Sequence, residues 1–357
     1  MRTVIKPFSA LTRWLCLPLL AACLCSFAAA QSPKAPLTKV RVGILNSLGE
    51  APTFLADERG YFREEGIEIS FERFDNTADM STPMITGDLD VASGAPTLGL
   101  LNGSLRGLPF KLVADKGRNS KGHGFNAIVV RKDLIDSGRV KTIADLKGLK
   151  VASPSRNSPM EFQLDTALRA SGSKLEDVSI EQMGFPSMLQ ALSNKAVDAA
   201  LLIEPFVANA SKRQIAIRLL GFDETSPNFQ IAGIIYAPEF VKRKPEIANK
   251  WMVAYLRGVR DYLDAIEGRS SRQEMFTAMG KQIPTFKDPV ALANVVFPGF
   301  DPDGYLHLPT IVDSIDWYSS RGLLQQKPKL ADLVDYQYIE YAHKRLGRKG
   351  PAQPGPK

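Results

Sequence analysis

The residues best placed to do chemistry in this chain are hydroxyls, amides, an imidazole, a guanidinium and a carboxylate near the ends of short apolar segments. Ser158 stands before Pro159 at a helix start, with Glu161 three residues on. That spacing is a capping box, so the hydroxyl binds either its own helix or a ligand. Arg156 lies in the same loop, and His123 sits between Gly122 and Gly124 with no metal-ligand spacing to His307 or His343. Glu204 follows four apolar residues, where a carboxylate needs a partner; it either bonds an amino or hydroxyl group of a ligand or pins a hinge. Such groups hold small polar molecules. The bond-making motifs G-x-G-x-x-G, P-loop and G-x-S-x-G are absent. Asp301-Pro302-Asp303-Gly304 lacks the distal acidic residue of a calcium loop and reads as a turn. No catalytic residue, metal or cofactor is expected.

What positions these groups is a pattern written twice. Met80, Met84 and Asp90 align with Met188, Leu192 and Asp198 at one constant offset, each set running helix, polar turn, buried strand and polar tip. Strands predicted at 40–45, 67–74, 91–92 and 110–114 alternate with helices, and the pattern recurs at 150–152, 178–182 and 199–203. That alternation predicts parallel sheets with helical crossovers. Two β segments, 125–130 and 231–236, bracket the second set and are natural crossing points. The expectation is an α/β protein of two parallel-sheet lobes joined by two hinge strands. The first lobe spans 38–124 and 230–346, the later segment mostly helical; the second spans 125–229. Open parallel sheets bind ligands beyond the carboxyl ends of their strands. The loops that matter are then 46–50, 74–77, 93–97, 116–126, 153–158, 184–186 and 204–206. Several lead into a helix through proline (Ala51-Pro52, Ala95-Pro96, Ser158-Pro159, Glu204-Pro205), which aims helix N-termini and their amides at the cleft. Asn76 and Thr77 fit helix caps, and the loop cations Lys116, Arg118 and Lys121 ordinarily face solvent.

The first 30 residues form a basic start (Arg2, Lys6, Arg13), an apolar run from Trp14 to Phe27 and a small-residue site at Ala28-Ala29-Ala30. This is a secretory signal, so an exported protein is expected. Leu20-Ala21-Ala22-Cys23 also fits a lipobox, which would anchor the chain through Cys23. Cys16, Cys23 and Cys25 all lie in this leader, so cleavage after Ala30 leaves no thiol for a disulfide, metal or nucleophile. The leader holds three of the 45 basic residues, leaving 42 against 38 acidic ones, a net of +4. That mild charge excludes the basic stripe of a nucleic-acid binder. The Gly/Pro-containing end, 347–357, is expected to be disordered.

Ala51-Pro52, Arg59-Gly60-Tyr61-Phe62, Glu65-Gly66-Ile67, Gly87-x-x-Asp90-Val-Ala, Val129-Val-Arg-Lys132, Ile143-Ala-Asp-Leu-Lys-Gly148, Val197-Asp-Ala-Ala200, Glu204-Pro205 and Asp335-x-x-Tyr338 occur in that order over residues 40–346. In order and spacing they resemble solute-binding proteins of the nitrate, sulfonate and taurine type, within a superfamily that also contains synthases of the thiamine pyrimidine. The resemblance implies a two-lobed periplasmic-binding-protein-like fold of type II. It implies a monomer that takes a small-molecule ligand and delivers it to the membrane permease of an ATP-driven importer. It places ligand contacts at Ser47, Ser93, Thr97, Asn157, Ser158 and Glu204, to which the tip loops add Asn46, His123, Arg156 and Phe185. A sulfonate, a carboxylate or a similar solute is expected. A sensor that presents ligand to a receptor, and a binder or synthase of a thiamine pyrimidine precursor, are the alternatives.

Overall fold

The computed structural model describes Met1, Thr3, residues 36–108, 110–287 and 294–351, Gln353 and Pro356. Apart from Met1 and Thr3, the expected leader, Cys23 included, lies outside the described residues. Among them, no helix is long and apolar enough to cross a membrane.

Two five-stranded sheets carry the fold. The first is assembled from β1 (Thr38–Ile44), β2 (Ile67–Arg73), β3 (Val91–Gly94) and β4 (Lys111–Asp115), with helices α1 (Ala51–Glu58), α2 (Ser81–Thr86) and α3 (Leu98–Leu105) between them. The second follows as β5 (Asn126–Arg131), β6 (Lys150–Ser153), α4 (Pro159–Ala170), β7 (Ser179–Gln182), α5 (Phe185–Ser193), β8 (Ala199–Ile203), α6 (Phe206–Lys212) and β9 (Ala216–Gly221). The chain then returns to the first sheet as β10 (Gly233–Tyr236). Strand orders are β2-β1-β3-β10-β4 and β7-β6-β8-β5-β9. The two orders are equivalent position by position.

The sheets are mixed where parallel ones were expected. β10 runs antiparallel to β3 and β4, and β5 runs antiparallel to β8 and β9. Each of these strands is the first that the chain forms after crossing between lobes, so it enters its sheet from the opposite end. β9 was not anticipated, because Arg218 interrupts its apolar run; that arginine is half-buried and engaged with the carboxylate of Glu204.

The duplicated pattern holds down to individual atoms. Asp90 Oδ2 accepts from the backbone N–H of Arg41 (2.9 Å), and Asp198 Oδ2 accepts from that of Lys150 (3.0 Å). Each carboxylate thus anchors the adjoining parallel strand, β1 in one lobe and β6 in the other. Met80, Met84, Met188 and Leu192 are all buried beneath.

After β10 the described residues are mostly helical. In α7 (Pro245–Ile266) Trp251, Tyr255 and Tyr262, which recur at helical spacing, are fully buried, with Trp251 stacked on Tyr255 at 5.1 Å. A further helix, α8 (Leu308–Ser320), departs from the expectation that 230–346 belongs wholly to the first lobe. It packs on α4 of the second lobe: Trp317 Nε1 donates to Asp165 Oδ2 (2.8 Å), its ring meets Phe162, and Arg321 pairs with Glu176. α9 (Gln337–Leu346) returns to α7 in the first lobe. The tail expected to be free from residue 347 is tied at its start, where the N–H groups of Lys349 and Gly350 donate to the carboxylate of Asp303. Asp301-Pro302-Asp303-Gly304 is a turn, with Asp301 Oδ1 accepting from the N–H of Asp303 (3.0 Å).

α1 and α7 meet at Gly258, where a Cβ would lie 2.1 Å from the carbonyl oxygen of Pro52. Backbone cannot yield cheaply there. Gly258→Ala should therefore lower unfolding stability by about 3 kcal/mol, read as a shift in the urea midpoint at unchanged slope.

Candidate ligand-binding site

The carboxyl ends of both sheets close on a cavity of about 50 Å³ lined by residues of both lobes. Leu45, Phe125, Met160, Phe185, Ile203 and Ile231 make its apolar walls, while Ser47, Asn76, Thr77, Thr97, Lys116, Ser158 and Gln163 bring polar groups to it. A volume of this size holds only a few water-sized spheres.

On the first-lobe side the site is organised by a buried ion pair. Lys116, which follows β4, is 2% exposed, and its Nζ donates to Glu50 Oε1 at 2.8 Å. Glu50 is fully buried; it also accepts from the N–H of Leu45 (3.1 Å) and, through Oε2, from Ser93 Oγ (2.7 Å). Nζ further reaches Ser47 Oγ at 3.4 Å. A charge taken from water demands a partner, and here each charge has one, with further hydrogen bonds on both sides of the pair. The expectation that Lys116 faces solvent is thereby corrected. Next to the pair, Thr97 caps α3 by accepting from the N–H of Leu100, and Thr77 Oγ1 accepts from the N–H of Ala95. Gly94 lies so close to Thr77 that a Cβ would stand 2.5 Å from its side chain. Asn76 caps the turn after β2 through Asp79 while its side chain also borders the cavity.

The second-lobe wall is the start of α4. Ser158 accepts from the N–H of Glu161 (3.2 Å) and lies 3.1 Å from Ser153 Oγ, so it caps the helix and borders the cavity at once. One turn on, Gln163 is fully buried; its Oε1 accepts from Asn126 Nδ2 (2.6 Å), and its Nε2 has no partner. Burial raises the Glu161 carboxyl above its ordinary value, against the lowering hydrogen bonds of Ser153 and of the Asn157 N–H.

Of the ten residues expected at the ligand, Ser47, Thr97, Ser158 and Phe185 line the cavity together. The other six do not. Ser93 stands behind Glu50. Asn46 and Asn157 are left-handed turn residues (φ 53° and 54°), a conformation asparagine tolerates; the first accepts from Arg73 and the second donates its N–H to Glu161. Arg156 is exposed, and His123 Nδ1 meets the Phe297 carbonyl. Glu204 is fully buried and does not line the cavity: it pairs with Arg218 (2.8 Å) and accepts from the N–H groups of Ala208 and Val296, while its carbonyl accepts from the N–H of Leu48. Of its two readings, the structure favours the pin. It joins β8 and α6 to segments of the first lobe. Glu50, Lys116 and Gln163 were missed as site residues; a polar residue one turn into an amphipathic helix was the one available signal for Gln163.

Burial pushes the Glu204 carboxyl up to about 7, opposed by Arg218. A carboxyl raised in the folded state stabilises fully below its unfolded pKa and loses that contribution as pH rises through the folded one. Denaturation measured from pH 4.5 to pH 8 should show stability falling by roughly 3 kcal/mol more in the wild type than in Glu204→Gln. Parallel curves would contradict this.

Comparison with known proteins adds the following. A family model described as NMT1/THI5 like matches residues 49–265. A riboflavin-binding protein of Chloroflexus aurantiacus is 27% identical over 244 residues, 66% of this chain and 66% of the relative. A 4-amino-5-hydroxymethyl-2-methylpyrimidine phosphate synthase of Saccharomyces cerevisiae is 25% identical over 224 residues, 59% and 62% of the two chains. Among solved structures, the periplasmic nitrate-binding protein of Synechocystis PCC 6803 superposes with a TM-score of 0.72 at 14% identity, covering 87% of this chain and 89% of its own. The ligand-binding component of an ABC-type import system from Staphylococcus aureus gives 0.71 at 16% identity, covering 85% and 99%. These likenesses show the two-lobed α/β fold of such binding proteins.

Proposed function

We infer, from the premise that this chain belongs to the NMT1/THI5-like family, that it captures a small polar or anionic organic solute between its lobes. It then presents that solute to the permease of an ATP-driven importer. The observation that carries this reading is the cavity itself, walled by the strand tips of two equivalent sheets. A ligand there touches both lobes at once, so its binding energy favours the closed arrangement over the open one. The leader supports a periplasmic location, either as a soluble monomer or anchored through Cys23.

Support for capture over catalysis comes from the state of the polar groups. The cavity lysine is held in an ion pair, and the cap hydroxyls already accept from their own helices. One observation favours a second reading: the yeast relative is named as a pyrimidine phosphate synthase. Under that reading purified protein would convert a pyrimidine precursor rather than bind it unchanged.

A thermal-shift screen over sulfonates, carboxylates, nitrate and pyrimidines tests the proposal. A compound present at about 100 times its dissociation constant should stabilise by about 2.7 kcal/mol. Small-angle scattering with that compound should show compaction. An unchanged radius at saturation defeats hinge closure, and turnover of the compound defeats capture.

A further inference from the structure

Resting on the capture reading, the cavity's own charge and donor pattern narrows the solute. Among the described residues that line it, Lys116 is the one cation, and its charge is already matched by Glu50 at 2.8 Å. Glu50 is in turn held by Ser93 and the Leu45 N–H, so it is fixed where it is. One donor at each helix start at the cavity is also occupied. α4 opens on Pro159, which has no N–H, and Ser158 takes the Glu161 N–H; Thr97 takes that of Leu100. At α5 the Phe185 N–H is directed to the Asp75 carbonyl, and Pro186 follows. An anion entering here adds an unmatched charge to an apolar enclosure, an unfavourable transfer.

What remains available is a set of neutral donors. Ser47 Oγ accepts from Lys116 and Thr97 Oγ1 accepts from Leu100, so each hydroxyl proton is left to donate. Gln163 is fully buried in the cavity wall, with Oε1 held by Asn126 and Nε2 without a partner. A buried N–H with no acceptor is costly, and a site with such a donor discriminates strongly for a molecule that supplies one. We propose that Gln163 is a specificity-determining residue and that the solute is an uncharged organic molecule presenting a carbonyl-type acceptor to its Nε2.

Paired isosteres test this by calorimetric titration at pH 7: benzamide against benzoate, and methanesulfonamide against methanesulfonate. The uncharged member of each pair should bind the wild type at least about tenfold more tightly. Gln163→Leu should weaken benzamide by roughly tenfold or more, and so should Gln163→Glu, which keeps an acceptor for Asn126 but removes the donor. Glu50→Gln, which leaves the Lys116 charge unmatched, should instead raise affinity for benzoate. Anions that bind the wild type as tightly as their uncharged partners overturn the inference, as does benzamide binding that is indifferent to both Gln163 variants. If such an anion also compacts the protein in scattering, capture stands and only this inference falls. Binding by none of the four compounds to protein that melts cooperatively overturns it too, and the wider screen then decides capture separately.

Discussion

Each sheet takes, at its fourth position, the strand that the chain forms just after crossing from one lobe to the other, and the rest of the molecule is arranged around that constraint. β5 and β10 occupy the same fourth position in their sheets, and each runs against its neighbours because the chain has just crossed over. The crossings bring the carboxyl ends of the two parallel sets face to face. They also put short, hydrogen-bonded connections next to the cavity: Lys116 and Phe125 border it on the way out, Ile231 and Ala232 on the way back. The site and the crossings between the lobes are thus built from the same stretches of chain.

Much of the fold was legible because it is local and repeated. Apolar strands alternating with capped helices, and the constant offset between Asp90 and Asp198, sufficed for two lobes and for their carboxyl-end cleft. The mixed sheets were not legible, since strand direction depends on where a crossing chain re-enters. The docking of α8 on α4 was not legible either. A helix covered on both sides loses the one-faced pattern by which periodicity is read, and α4 buries Glu161, Gln163 and Asp165 among its apolar residues.

The site divides along the same line. Ser158 was readable because a cap has a sequence signature, and the structure shows that capping and bordering the cavity are compatible roles for one hydroxyl. Lys116 and Glu50 are far apart in sequence and their pairing is purely tertiary, so a lysine in a predicted loop gave no sign of burial. Glu204 shows the opposite error. An acidic residue at a strand tip looks like a ligand contact, yet the nearest available cation, Arg218, comes from the strand that had not been foreseen.

The interrupted first lobe has a consequence for the order in which the molecule is made. All five strands of the second sheet lie within one uninterrupted stretch, from Asn126 to Gly221. The first sheet begins at Thr38 but has an open slot between β3 and β4 until Gly233–Tyr236 has been synthesised. As a nascent chain lengthens, the second lobe is therefore the earlier one able to close its core, with the first lobe's strands waiting upstream, edges exposed. Its loop closure spans the whole second lobe, and pairings of such long sequence separation form slowly. The half of the protein that begins first finishes last.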